Sequence, residues 1–428
     1  EGKSLKNINL TSKQAYFGFI KQIKGELSGI IFDNIIITSS ASGSYVGIVL
    51  FSNATISNIE FRNISLDAKN IGFVAPICSS LNQIENVKIY DIEILGKNYV
   101  GGLVSEINQA GTINQVEGST ININAGTYVG GILGITQKSS IAVDNIHLDN
   151  VDISAESYVG GITGTSSIQN SDIENSNITG TSYVGGITGD LYRRENGENQ
   201  AKLIVDNCTI SGTNENIGGI TGHLSNTGNV TGIVKNSNIE GLTTKSNNVG
   251  GIVGYAQYIM RYNVLINTEI ISKGSNVGGI SGYHSNDGIW YSIFKDGKIE
   301  GYSNVGGIVG NKAGNIEFKN NYVSSDIIAT NSNAGGIIGN LPNTDMTTTY
   351  NNSYIYSNYF ANGKIYAPIN VGGIIGKIEE ELYMPDEFYY RNYIEADISS
   401  EDPSYPSLAI GSIPNHNQYL ADTYFYKY

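Results

Sequence analysis

The sequence predicts an all-β chain: a single-stranded, right-handed parallel β-helix of about 13 coils, each roughly 29 residues long and carrying three short strands. Three observations predict it. A glycine-paired apolar run, "SYVGGITG" at 157–164, returns unchanged at 182–189 and recurs in variant form along the chain. A second column, mostly Asn, runs in step with it. Around that column apolar residues alternate with period two, while helical spacing at i, i+3, i+4, i+7 is nowhere sustained.

The first glycine of each copy falls at Gly18, Gly47, Gly72, Gly101, Gly130, Gly160, Gly185, Gly218, Gly250, Gly278, Gly306, Gly335 and Gly372, mostly 25 to 33 residues apart. From Gly101 onward each copy reads aromatic or Asn (Ile in one), then Val, Ile or Ala, then Gly-Gly; the first three copies are degenerate. A phosphate-binding loop would be a single glycine-rich turn opening a helix. Thirteen copies between strands predict a structural device instead. Val159 and Ile162 both belong inside yet are three apart, so Gly160 and Gly161 must form a bulge or corner where backbones approach.

The second column is Asn7, Asn34, Asn58, Asn86, Gln115, Asn145, Asn170, Asn207, Asn236, Asn263, Ser292, Asn321, Asn358 and Asn392. In its clearest copies the Asn opens two alternating apolar pairs separated by a three-residue step, as in Ile146, Leu148, Val151 and Ile153. That step predicts a corner between two strands. Asn tolerates the left-handed backbone a corner needs, and stacked amides bond from coil to coil. A coil cannot bury its apolar edge alone, so the coils stack, and the crossover rule sets the hand.

Residues 1–376 form the solenoid in this reading, and 377–428 hold the last coil or coils and a C-terminal cap or the start of a next segment. The net charge of −14, with 25 basic against 39 acidic side chains, argues against nucleic acid as a partner. No apolar run is long enough to span a membrane, so no membrane insertion is expected. The absence of an initial Met suggests a monomeric segment of a larger chain.

Chemistry is sparse. Cys78 and Cys208 lie about four coils, or roughly 19 Å, apart at ~4.8 Å per coil, too far for a disulfide. His147, His223, His284 and His416 share no motif. No metal or other cofactor is expected, and no catalytic residue is assigned.

The "VGGIxG" core with its period resembles the GLUG repeat of bacterial surface proteins over nearly the whole chain, from about Gly18 to Gly376. That resemblance implies an extracellular or cell-surface location in a bacterium. It also implies kinship with large adhesins or with the region preceding the catalytic domain of zinc metallopeptidases that cleave immunoglobulin A. The catalytic part of such a peptidase would carry His-Glu-x-x-His, which is absent from this chain. The expected function is a noncatalytic β-solenoid that presents or spaces a surface for a host protein, immunoglobulin among them, or a glycan. The alternative is a β-helix polysaccharide lyase or hydrolase. Against it, "NTD" at 343–345 and "GH" at 222–223 stand in the reverse of the order pectin hydrolases use, without their other motifs.

Recognition is expected where loops interrupt the period after the Gly-Gly strand. The longest are 190–202, 340–357 and 377–390, all leaving the same edge. "YAQYIMRY" and "YHSNDGIWY" place Tyr255, Tyr258, Tyr262, Tyr283, Trp290 and Tyr291 in a candidate strip two coils deep. Arg193 and Arg194 join them as candidate partner-binding residues; surface aromatics and Arg suit protein or glycan contact.

Overall fold

The computed structural model describes residues 3–80, 82–108, 111–136, 142–192, 201–225, 230–314, 316–342, 354–379, 389–402, 409–412 and 424–426, by backbone alone at 201, 389, 390 and 424–426. All regular structure among them is β-strand. Contacts divide the chain into two units, Glu1–Thr209 and Ile210–Tyr428. Each is a parallel β-solenoid, and together they hold about 12 turns of ~29 residues. The thirteen glycine marks bound twelve such turns.

In unit 1 the inward columns are apolar from coil to coil. Ile64, Ile92, Ile121 and Val151 lie in register and are at most 1% exposed. Each such side chain contributes about 1.5–3 kcal/mol of transfer free energy, and any one-residue slip would turn the whole column outward.

Left-handed residues make the corners. One corner is formed by Asn58, Asn86, Gln115, Asn145 and Asn170, a second, five residues further on, by Asn63, Asp91, Thr120, Asn150 and Asn175. The expected Asn column therefore merges two corners. Asn34 aligns with Asn63, between the pairs Asp33–Arg62 and Ile35–Ile64, and Asn207 donates to Asn175 Oδ1 rather than continuing from Asn170. Both corners set an amide or carboxamide-like residue between apolar pairs, so they read alike in sequence. In unit 2 the column departs again. Tyr262, Tyr291, Asn320, Ser357 and Arg391 are the left-handed residues, while Asn263, Ser292, Asn321, Asn358 and Asn392 turn inward and are buried.

The glycine marks need one shift. Tyr45 pairs with Phe73 and Val46 with Val74, so the third copy is marked by Ala75, not Gly72. Val49, Ile77 and Val104 are also in register. The early copies are therefore one residue shorter, and the second glycine is the added residue. Where it is missing, the strand Gly43–Asp67 runs unbroken; where it is present, Tyr99–Gly101 and Val104–Ile107 are separate strands. A Cβ on Gly160 would meet Thr163 O at 2.1 Å and Thr188 Cα at 2.4 Å; one on Gly161 would meet Gly186 O at 2.3 Å. Neither φ is left-handed, so close approach alone demands these glycines.

Coils continue past residue 376: Ile375 pairs with Ile410, and Tyr393 with both Tyr359 and Tyr424. Both cysteines are buried and free. Burial pushes the Cys78 thiol well up and that of Cys208 up to about 11, the opposite of an activated nucleophile.

Candidate binding surfaces

The expected aromatic strip resolves into two ladders and a clasp. Tyr255 and Tyr283 occupy equivalent positions in the strands Val253–Ala256 and Ser281–His284, their rings parallel and 5.3 Å apart, with His223 tilted against Tyr255 at 5.2 Å. Tyr258 is half-buried and belongs to neither ladder. Tyr262 and Tyr291 stack at 5.2 Å on the left-handed corner and stay 45% and 41% exposed. Arg193 and Arg194 lie outside the described residues, as do most of the three long loops and the "NTD" at 343–345.

Trp290 sits in a five-stranded sheet that runs up one side of unit 2, in register with Arg261 and Lys319. The Arg261 guanidinium lies 3.8 Å from the indole centroid and the Lys319 ammonium 3.5 Å from it, while Lys319 also binds Glu317 at 2.8 Å. Neighbouring coils thus already cover the ring with cations. Trp290 is a clasp between coils, not an open platform.

Sequence reasoning missed the continuation of this surface. Two residues beyond each corner residue, Ile293, Tyr322, Tyr359 and Tyr393 stand in register, with rings stacked at 5.5 Å and 4.4 Å. The signal was available: an aromatic at fixed distance after the corner in three successive copies. Stacking covers ring faces, so such a ladder turns edges and hydroxyls outward, while Tyr262, Tyr291 and the 37% exposed Ile293 give the corner its apolar surface.

Unit 1 builds its outer wall differently. An aromatic ladder runs Tyr16, Tyr45, Phe73, Tyr99, Tyr128, Tyr158, Tyr183, with centroids 4.5–5.6 Å apart. On another wall, charges alternate along the stack. Lys6, Asp33 and Arg62 are paired at 3.4 and 2.9 Å, and hydrogen bonds from Arg62 and Asn63 hold the Asp33 carboxyl down to about 2. Further along, Lys88 pairs with Glu117 at 3.5 Å, and His147 Nδ1 lies 2.5 Å from Asp172 Oδ2. Partial burial lowers the His147 pKa, but the Asp172 hydrogen bond and the nearby carboxylates outweigh it and hold the imidazole above its ordinary value. These side chains border an open groove of about 520 Å³.

The interior of unit 2 also holds two basic groups. His284 and Lys312 are in register on adjacent coils and fully buried. Lys312 Nζ donates to Ala313 O, and no hydrogen bond of normal geometry reaches either His284 ring nitrogen, though the Asn286 backbone lies close. Burial drives both pKa values down, so both groups are neutral.

Among the described residues no group of three His, Cys, Asp or Glu side chains is placed to hold a metal ion. No helix is long and apolar enough to cross a membrane. The fold defines the class, a parallel β-solenoid. The chain matches no family model, no curated protein and no solved structure.

Proposed function

We propose that this chain is a noncatalytic, extracellular solenoid of a bacterial surface protein, built from GLUG-like repeats, that presents or spaces a binding surface for a host protein or glycan. It serves as the stalk of an adhesin or as the region by which an immunoglobulin-cleaving zinc metallopeptidase engages its substrate. The observation that carries this reading is the aromatic corner of unit 2, where Tyr262 and Tyr291 are stacked yet more than 40% exposed beside Ile293. Rigid aromatics held in the open by a repeating backbone offer contact area with little ordering entropy left to lose. The ladder Tyr322, Tyr359 and Tyr393 extends the same face with hydroxyl edges. Paired, satisfied charges on the outer walls supply no general acid or base.

The test is capture of immunoglobulins and host glycans by the wild type and by Tyr262→Asn/Tyr291→Asn, a pair chosen because Asn occupies left-handed corners elsewhere in the stack. Binding should fall about tenfold or more, the scale of losing aromatic anchors. Equal capture by the two proteins would remove the corner from the interface.

A further inference from the structure

We infer that the groove of unit 1 is a second binding site, for a neutral, unbranched, hydroxyl-rich glycan lying along the stack of coils. This goes beyond the reading of the aromatic corner and rests on different residues.

The groove opens where an amide ladder fails. Asn86 Nδ2 donates to Asn58 Oδ1 at 2.6 Å, which is the regular arrangement for this corner. The next residue of the column is Gln115, with a left-handed φ of 56° and no side-chain hydrogen bond. Its extra methylene sets the carboxamide out of step with Asn on either side. Asn145 then turns away and donates to Asn114 Oδ1 at 2.8 Å. One wall of the groove therefore carries an amide with unused donors and acceptor. The other wall carries Glu117, His147 and Asp172, one per coil.

The chemistry of the lining selects the ligand. Val87, Val116 and Ile146 beneath the groove are each only 1% exposed, so a peptide would find no apolar pocket for its side chains. Glu117 and Asp172 repel phosphate and uronate groups. Amides and carboxylates spaced by one coil, about 4.8 Å, suit hydroxyl groups that recur once per sugar, because an extended 1,4-linked pyranose chain advances by nearly one coil per residue. The volume, about 520 Å³, falls within the range of ligand sites.

The decisive variant is Gln115→Asn, which restores the amide ladder and closes the groove without removing core. Calorimetric titration of the full chain would use β-1,4-linked glucan and mannan hexasaccharides, with a hexagalacturonate of equal length as the charged control. A neutral hexasaccharide should bind, the uronate about tenfold or more weaker, and Gln115→Asn should lose about tenfold, the scale of one or two hydrogen bonds, while melting no lower than wild type. Tyr262→Asn/Tyr291→Asn should bind the neutral glycan unchanged. The inference is overturned if neither neutral hexasaccharide binds, if Gln115→Asn binds as wild type does, or if only the tyrosine pair matters. None of these results bears on host-protein capture by the corner.

Discussion

The two units stack the same coil, yet they place polarity on opposite sides of the wall. Among the described residues, the buried polar side chains of unit 1 are Ser, Thr and Glu106, the last satisfied by Tyr45 Oη at 3.0 Å and Asn108 Nδ2 at 2.9 Å. All the buried Asn, His and Lys residues belong to unit 2. The corner before the Gly-Gly strand repeats the contrast. Tyr128, Tyr158 and Tyr183 fill it in unit 1 with stacked rings, whereas Asn216, Asn248, Asn276, Asn304, Asn333 and Asn370 fill it in unit 2 with an amide ladder of 2.7–3.0 Å bonds. Both solutions satisfy a left-handed backbone at a coil rise. Rings do it by area, which is forgiving, and amides do it by hydrogen bonds, which are not.

The largest effect should therefore come from the inner amide column of unit 2. Asn358 Nδ2 donates to Phe318 O at 2.9 Å and to Asn392 Oδ1 at 3.0 Å, and its Oδ1 accepts from both the backbone N and the side chain of Asn321. Asn358→Ala leaves at least the Phe318 carbonyl and the Asn321 amide unpaired in the interior. At roughly 1–3 kcal/mol for each orphaned group, the loss is about 2–6 kcal/mol in denaturant unfolding. Tyr158→Asn in unit 1 should cost only about 1–2 kcal/mol, since two ring stacks are lost but Asn suits the positive φ of 54°. Equal losses at the two sites would abolish the distinction between the units.

Next in size is the buried basic pair. The folded-state pKa of Lys312 is lowered, so folding at neutral pH releases a proton, and stability rises with pH until the unfolded lysine deprotonates near 10.5. Lys312→Met should raise stability at pH 7 by roughly 1–4 kcal/mol, as apolar replacement of buried ionisable groups does, and the gain should shrink toward pH 10. Thermal melts of both proteins across that range check it. A variant less stable than wild type at pH 7 would mean that Lys312 is retained for an interaction stronger than its desolvation.

The architecture was readable because alternation with period two is set by burial alone, and burial repeats at every coil. Asn150 and Asp91, read as the three-residue step, are left-handed corners, and Val159 and Ile162 are both fully buried around the glycine pair. What sequence merged were corners with the same local chemistry: Asn34 and Asn58 both sit between apolar pairs, and only register separates them. The aromatic strip was half legible for a similar reason. Tyr262 and Tyr291 stand out in irregular loops, but nothing in "GIWY" says that Arg261 and Lys319 from adjacent coils will cover the indole. Gln115 was read as one more corner residue, and it is one. Its consequence depends on how an amide one carbon longer meets its neighbours above and below.

The smallest effect sharpens the comparison most, because the two units should respond to acid with opposite signs. His147 of unit 1 is 51% exposed and held above its ordinary pKa by Asp172, so its contribution is fully present below pH 6.5 and fades as pH rises through the folded value. Solvent screening limits it to a few tenths of a kcal/mol. His284 of unit 2 is fully buried with its pKa lowered, so its cost appears as pH falls below 6.5, where the unfolded chain takes up a proton that the folded one refuses. Proton NMR of the ring signals separates the two. His147 should titrate reversibly with a midpoint above 6.5, and His147→Gln should leave stability nearly unchanged. His284 should show no titration until the coils around it open, and His284→Leu should protect unit 2 selectively in mild acid, read by hydrogen exchange at Val277 and Ile280. If His284 titrates near 6.5 in the folded protein, water reaches the interior of this coil and the contrast between the two walls fails there.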